Sequence, residues 1–444
     1  MRGASTNHLL SRALASAFLA TDWTEAALYQ AARIVLQSRS FRVAALVATV
    51  QLIARPLTPT HRKLAAFIRG APIFPDVVAD FDCRHLSAPL VLIPERAAPL
   101  PPFAELDLPS LSSPAELADW LEVPPRHLDW LADPEGRNAR SREPSLHHYT
   151  TSWREKRNGT FRLIEAPKVQ VKNCQRRILR EILDKVPAHP SAHGFVRGRS
   201  CQTGAAIHVG EQIVVTLDLA DFFLTVPIPR VFGIFRGLGY ASPIARLLTG
   251  LCSTVTPPSA LPAWPRQHAT DWRERRVYFA PHLAQGAPTS PALANLVAWR
   301  LDCRLHGLAR AFEANYTRYA DDLTFSGGSD LAGRVGTLLK AVRDVVTDEG
   351  FRVNEGKLRI MRASGRQQVT GIVVNEHQNI ERATFDQLKA ILHNCRKLGP
   401  AGQNRDGLTD FRAHLDGRVN WVENLNPARG AKLRRTFREI DWGA

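Results

Sequence analysis

The sequence predicts an α+β fold, on three observations. Helical periodicity fills roughly the first 75 residues. From about His147 onward, helical stretches alternate with short β-branched runs. Two of those runs meet aspartates, at Asp218 and at Asp321-Asp322.

Composition bounds what such a fold can be. The chain has 444 residues, 44% hydrophobic and 23% charged, the balance of a protein that buries a full core rather than a disordered or fibrous one. At about 150 residues per domain, this length suggests two or three folding units. A net charge of +16 points to a polyanionic partner, either nucleic acid or an anionic surface. The longest apolar run, Val43 to Val50, falls far short of the roughly 20 residues that span a bilayer. No membrane role is therefore expected. Six scattered cysteines with no C-x-x-C pair argue against structural zinc and a disulfide framework, so a reducing compartment, the cytoplasm, is expected.

The elements follow in order. Residues 1 to 20 faintly imitate a signal peptide, but Asn7, His8, Ser11 and Arg12 interrupt the apolar stretch. Asp22-Trp23-Thr24-Glu25 reads as a capping box opening a helix through Leu36, and a second apolar helix is predicted over Phe41 to Ile53. Prolines become frequent from Pro75 to Pro125. Within that wrap Ser113-Pro114-Ala115-Glu116 supplies a cap, a first-turn proline and a returning carboxylate. The helix it opens carries Leu117, Trp120 and Leu121 on one side, as core contacts.

Gln212 to Leu217 is a continuous β-former run suited to a buried strand, and it ends at Asp218. A carboxylate at a strand end is held rigidly, as a metal ligand must be. Residues 316 to 328 form two alternating arms around Asp321-Asp322, the pattern of a tight hairpin with both carboxylates at its tip. Two like charges at about 4 Å cost on the order of 4 kcal/mol at an effective dielectric of 20. Adding Asp218 raises that cost unless divalent cations offset it, and three carboxylates suit hard Mg²⁺. Two such ions clamp the attacking and leaving oxygens of a phosphoryl transfer. Between the acidic segments, Gln285-Gly286-Ala287-Pro288-Thr289-Ser290-Pro291 reads as a turn into a helix, with Ser290 as cap and Pro291 as its first residue.

Taken together, these segments resemble a reverse transcriptase, and specifically a retron-type one. The matching residues run in the family's order: Gly159 to Lys168, Ala192 to Ser200, Asp218 to Phe223, Gln285 to Pro291, Tyr319 to Asp322, Asn354 to Lys357 and Val369-Thr370-Gly371. A further match lies at Leu415-Asp416-Gly417 and Asn426-Pro427. The resemblance implies a right-hand polymerase fold with an N-terminal helical extension over 1–105, fingers and palm over 106–383 and a thumb over 384–444. By the same resemblance Asp218, Asp321 and Asp322, with the Leu219 carbonyl, would hold two Mg²⁺ ions, Mn²⁺ being possible. Lys156 and Arg162 would clamp the incoming dNTP triphosphate, Phe223 would reject a 2′-hydroxyl, Gln285 would touch the nucleotide, and Lys357 would lie near the leaving pyrophosphate. Arg197, Arg199, Val369, Thr370, Gly371, Arg434 and Arg435 would contact RNA. The partners implied are a cognate noncoding RNA acting as template and primer, its DNA product and a separate effector protein in phage defence.

Charge placement agrees. Between Arg154 and Arg199 twelve basic residues face four acidic ones, a stretch suited to tracking a phosphate backbone. The sequence departs from the family where many retron enzymes carry Asn-Ala-x-x-His: Val226 to Ala284 contains no asparagine, and Thr254 to Arg276 is rich in proline instead. The other readings are a group II intron-like or another defence-associated reverse transcriptase, and an RNA scaffold without catalysis.

Overall fold

The computed structural model describes residues 2–19, 23–52, 61–85, 98–134, 136–156, 159, 161–260 and 277–442. The chain divides into two compact units that interleave along the sequence. One comprises Met1–His148, Pro167–Val186 and Ile228–Thr254, and the other Tyr149–Ala166, Pro187–Pro227 and Val255–Ala444.

The first unit is helical. Helices Arg2–Leu19, Glu25–Leu36, Phe41–Gln51, His61–Gly70 and Phe74–His85 share one core, in which Leu14, Phe18, Leu28, Leu46, Leu64 and Phe74 are buried. The apolar start of the chain is thus the buried face of a helix lying against His61–Gly70. The Glu25 helix is capped by Thr24, whose hydroxyl accepts from Ala27 N at 3.3 Å. The cap therefore falls two residues later than predicted, and Asp22 lies outside the described residues. Helix Phe41–Gln51 is close to its predicted span, and Ile53 likewise lies outside the described residues. Ser113 caps Pro114–Trp120 as expected, but the Glu116 carboxylate returns to Ser112 N at 2.8 Å, one residue upstream. Leu117 and Leu121 are buried, and Trp120 uses its indole N–H on Glu181 at 2.9 Å.

The second unit is built on a four-stranded antiparallel sheet. We number its strands with the rest of the chain: β1 Tyr149–Glu155, β2 Phe161–Pro167, β3 Ile213–Asp218, β4 Asn315–Tyr319, β5 Asp322–Gly327, β6 Arg359–Arg362, β7 Gln368–Val369 and β8 Ile372–Val373. The order in the sheet is β4-β5-β3-β6, with β1-β2 and β7-β8 as separate hairpins. β3 is interior and buried along nearly its whole length, as its unbroken run of β-formers requires. β5 is buried from Leu323 through Gly327, so the sheet is covered on both faces there and the alternation predicted for this arm is absent. After the sheet, helices Arg382–Leu398, Phe411–Leu425 and Pro427–Arg438 share a core of Leu388, Leu392, Leu415, Val419, Val422 and Leu433, the faces their i, i+4 spacing marks out. No described helix is long and apolar enough to cross a membrane.

Candidate active site

The strand ends bring the predicted aspartates together. Asp218 is the last residue of β3, and the β3–β5 register sets it directly opposite Asp322, the first residue of β5. Asp321 lies in the turn between β4 and β5, and its carbonyl accepts from Leu219 N at 2.9 Å. A third segment closes the site, because Asn354 N donates to the Asp218 carbonyl at 2.7 Å. The Asp218 side chain is buried, accepting from Asn354 Nδ2 at 3.0 Å and from Lys357 Nζ at 2.8 Å.

The electrostatics are those of crowded carboxylates. Burial, then the Asp218 charge, raises the Asp321 pKa. Burial, with Asp321 and Asp218 beside it, pushes Asp322 up to about 6. Burial lowers the Lys357 ammonium, but its hydrogen bond to Asp218 and the surrounding negative charge outweigh that, and the net shift is upward. Among the described residues no three His, Cys, Asp or Glu side chains close into a metal cage. At this site both Asp218 oxygens are engaged by Asn354 and Lys357. The donor set still fits a hard divalent cation, since it is all oxygen and its crowded charge is what such an ion relieves. Lys357 supplies positive charge to the same carboxylate.

The turn carrying Asp321 is braced from behind. Tyr319 and Asp322 pair across a two-residue loop, and Ala320 takes a left-handed φ of 56°. Arg318, fully buried, grips Asp302 with Nε at 2.8 Å and a terminal nitrogen at 2.6 Å. Its other terminal nitrogen donates to Asn295 Oδ1 at 2.8 Å and to the Ala320 carbonyl at 3.0 Å. The Arg318 backbone is tied on both sides, its N–H to Ser191 and its carbonyl to His193 N, each at 2.7 Å. Asn295 also donates to Gly194 O at 2.9 Å. Gly194 is required there, for a Cβ on it would lie 2.5 Å from Ala320 N.

The predicted nucleotide-binding residues belong to the same compact unit as the aspartates. Lys156, at the end of β1, lies close enough to feel Arg162, Asp221, Lys357 and Asp218. Burial and then the Arg162 charge lower its pKa. Phe223 is half-buried beside the buried Phe222, ring centroids 5.6 Å apart. Gln285 is held through its backbone, its carbonyl accepting from Glu165 N at 3.0 Å. Beneath it, buried Glu165 takes hydrogen bonds from Thr256 Oγ1 at 2.9 Å and His282 Nε2 at 2.7 Å. A Cβ on Gly286, whose φ is 136°, would lie 2.9 Å from Glu165 O. The helix that follows runs Ser290–Val297. Its cap position is Thr289, without a capping hydrogen bond, so Ser290 lies inside the helix rather than at its cap as predicted.

The predicted RNA-contacting residues divide into outward and inward sets. Arg197 and Arg435 are exposed, and Thr370-Gly371 form the two-residue turn between β7 and β8 with φ of 48° and 87°, a type I′ pattern. The inward set makes contacts within the protein. One terminal nitrogen of Arg199 donates to the carbonyls of His189, Pro190 and Ala192, at 2.7, 3.1 and 2.7 Å. Arg434 is bound by Asp416, Asn420 and Glu423. The Val369 side chain is 1% exposed, inside the core.

Sequence reasoning missed Arg318, Asp302, Asn295, Asn354 and the Glu165–His282–Thr256 cluster as parts of the site. Arg318 carried the one available signal, a charged residue inside a β-forming run. Its partners Asn295 and Asp302 sit on two other elements, helices Ser290–Val297 and Trp299–Ala311.

The fold and this site define the class: residues 154–385 match the reverse transcriptase (RNA-dependent DNA polymerase) family, and the chain belongs to it. Within that family it is of the retron type. It is 43% identical over 295 residues to the Retron Mx65 reverse transcriptase of Myxococcus xanthus, covering 65% of this chain and 64% of that one. It is 36% identical over 352 residues to the Retron Mx162 reverse transcriptase of the same organism, covering 75% and 68%. Identity to the Retron Ec86 reverse transcriptase of Escherichia coli is 32% over 234 residues, covering 52% and 65%. The matches thus span about two thirds of each relative's length. Among solved structures, a foamy viral protease-reverse transcriptase in complex with double-stranded DNA overlaps with a TM-score of 0.32 at 13% identity, over 68% of this chain and 45% of that one, too loosely to bear on the fold.

Proposed function

We propose that this chain is the RNA-directed DNA polymerase of a retron, copying part of a cognate noncoding RNA into RNA-linked single-stranded DNA (msDNA) in cytoplasmic defence against phage, with a separate effector. The observation that carries the reading is the strand register that opposes Asp218 to Asp322, with Asp321 in the adjoining turn. On this reading 106–383 are the fingers and palm of a right-hand polymerase, 384–444 the thumb and 1–105 a helical extension.

Asp218, Asp321, Asp322 and the Leu219 carbonyl would hold two Mg²⁺, which neutralise charge on the reacting phosphate and favour the deprotonated primer hydroxyl. The chain's own residues do the rest. Lys156 and Arg162 bind the dNTP triphosphate, a guanidinium being a good bidentate phosphate partner. The Phe223 ring excludes a ribose 2′-hydroxyl by shape. Lys357, whose Nζ here donates to Asp218 at 2.8 Å, would offer its proton to the departing pyrophosphate. The primer oxygen bonds to the α-phosphorus as the bond to the β-phosphate oxygen breaks, so catalysis is mostly positioning and charge neutralisation.

The test is dNTP incorporation by the purified chain on a primed RNA template with Mg²⁺. The wild type is expected to extend the primer, and Asp321→Asn to lose at least about a thousandfold in rate, as removing a group that acts only in the transition state does. Wild-type protein that incorporates nothing, or an Asp321→Asn variant that extends normally, overturns the reading.

A further inference from the structure

Phe195 is in a position that stability alone does not explain. It follows Gly194 and has a left-handed φ of 59°, disfavoured for any residue with a Cβ. The residue is also 54% exposed. A strained backbone and an exposed aromatic at one residue are retained where something uses them.

The surroundings say what. The Phe195 ring centroid lies 6.3 Å from that of Phe223 and 6.4 Å from that of Tyr319, at interplanar angles of 54° and 35°. It thus continues an aromatic wall running from the sugar gate to the residue that leads into the Ala320-Asp321 turn. Its place relative to Asp321 is fixed, because Gly194 is pressed against Ala320 N and its carbonyl is held by Asn295. An exposed π-face beside carboxylates and cations suits a flat, uncharged ring attached to a phosphate chain. Such stacking is indifferent to base identity, as a copying enzyme must be.

We propose that Phe195 is a nucleobase-stacking residue of the polymerisation site, its free face offered to the base of the incoming nucleotide or to the templating base. This rests on the polymerase reading above. The test is steady-state dNTP incorporation by the full chain with wild type, Phe195→Ala, Phe195→Gly and Phe195→Trp, with melting temperatures alongside. Both ring-deletion variants are expected to raise the KM for dNTP roughly tenfold, within the range seen for lost base stacking. Phe195→Trp should stay close to wild type. Glycine separates ring from backbone, since it accepts the left-handed conformation without strain and should melt no lower than the alanine variant. A wild-type KM in Phe195→Gly would show that only the loop conformation mattered and would overturn the inference. A template with an abasic site locates the base: a defect that persists there assigns the incoming nucleotide, and one that disappears assigns the template, either supporting the proposal. Inactive wild type would instead sink the polymerase reading and this inference with it, an outcome distinct from an active wild type with unaffected variants.

Discussion

The buried Arg318–Asp302 pair shows how much one side chain can organise. Both groups are fully buried, so neither can find water if the other is lost. Breaking such a pair costs about 3–5 kcal/mol, because an uncompensated charge stays inside. Arg318→Met is therefore expected to lower stability by that amount in chemical denaturation. Arg318→Lys, which keeps the charge but not the fork, should fold better yet still lose DNA synthesis if the Ala320 carbonyl must be held. His208 gives a pH-dependent case. It is buried between Ser326 Oγ and Thr317 Oγ1, both at 2.7 Å, and burial, with His193 nearby, lowers its pKa to about 3. The unfolded chain therefore takes up a proton near pH 6.5 that the folded chain refuses. Stability is complete above that pH and is lost as pH falls toward 3. Between pH 7.5 and 5 the wild type should lose about 2 kcal/mol more than His208→Gln in unfolding free energy. The three aspartates were legible because each adjoins a β-former run, whereas Arg318 needs a partner sixteen residues back on a helix, a pairing that only the tertiary fold creates.

Among the elements, the β4–β5 turn and the loop through Gly194 behave as one piece. Gly194→Ala would place a methyl against backbone rather than against a movable side chain. It should displace the Asp321 turn, lowering DNA synthesis at least tenfold, with a melting loss of the 1–3 kcal/mol class seen for overpacking. Unchanged kinetics in a folded Gly194→Ala protein would contradict the close fit. The helix carrying Leu415 and Val422 and the strand before Asp218 were readable from spacing, since each buries one stripe or one continuous run. The two-sided burial of β5 was not, because Thr324 and Ser326 read as a polar outer face and yet are buried, Ser326 being paired with His208. The Ser290 cap was misplaced for a related reason. The helix opens from Thr289, which is itself buried.

For the whole molecule, the net charge of +16 sets how binding responds to salt. RNA affinity should fall roughly a thousandfold or more between 50 and 200 mM salt if six or more phosphates are contacted. Arg435→Glu, at an exposed position, should weaken binding and flatten the salt slope without changing the melting temperature. Arg434→Glu should instead melt early, since Asp416 and Glu423 would face a like charge. A slope unchanged in Arg435→Glu would remove that face from the RNA contact. The division into two interleaved units could not be read from periodicity, since residues 167–186 and 228–254 join the first unit through contacts made across long separations.

The pairing of β3 with β5 also bears on how the chain is made. Ile213 finds its partner at Gly327 and Asp218 at Asp322, each more than a hundred residues downstream. At about 5–20 residues per second, a ribosome leaves this interior strand without its neighbour for roughly 5–20 seconds. During that interval Ile213-Val214-Val215-Thr216-Leu217 is a bare, uncharged, sticky ribbon, the kind of segment a holdase chaperone covers. The same stretch that anchors the first aspartate thus leaves the nascent polypeptide open to misassembly until its partner emerges.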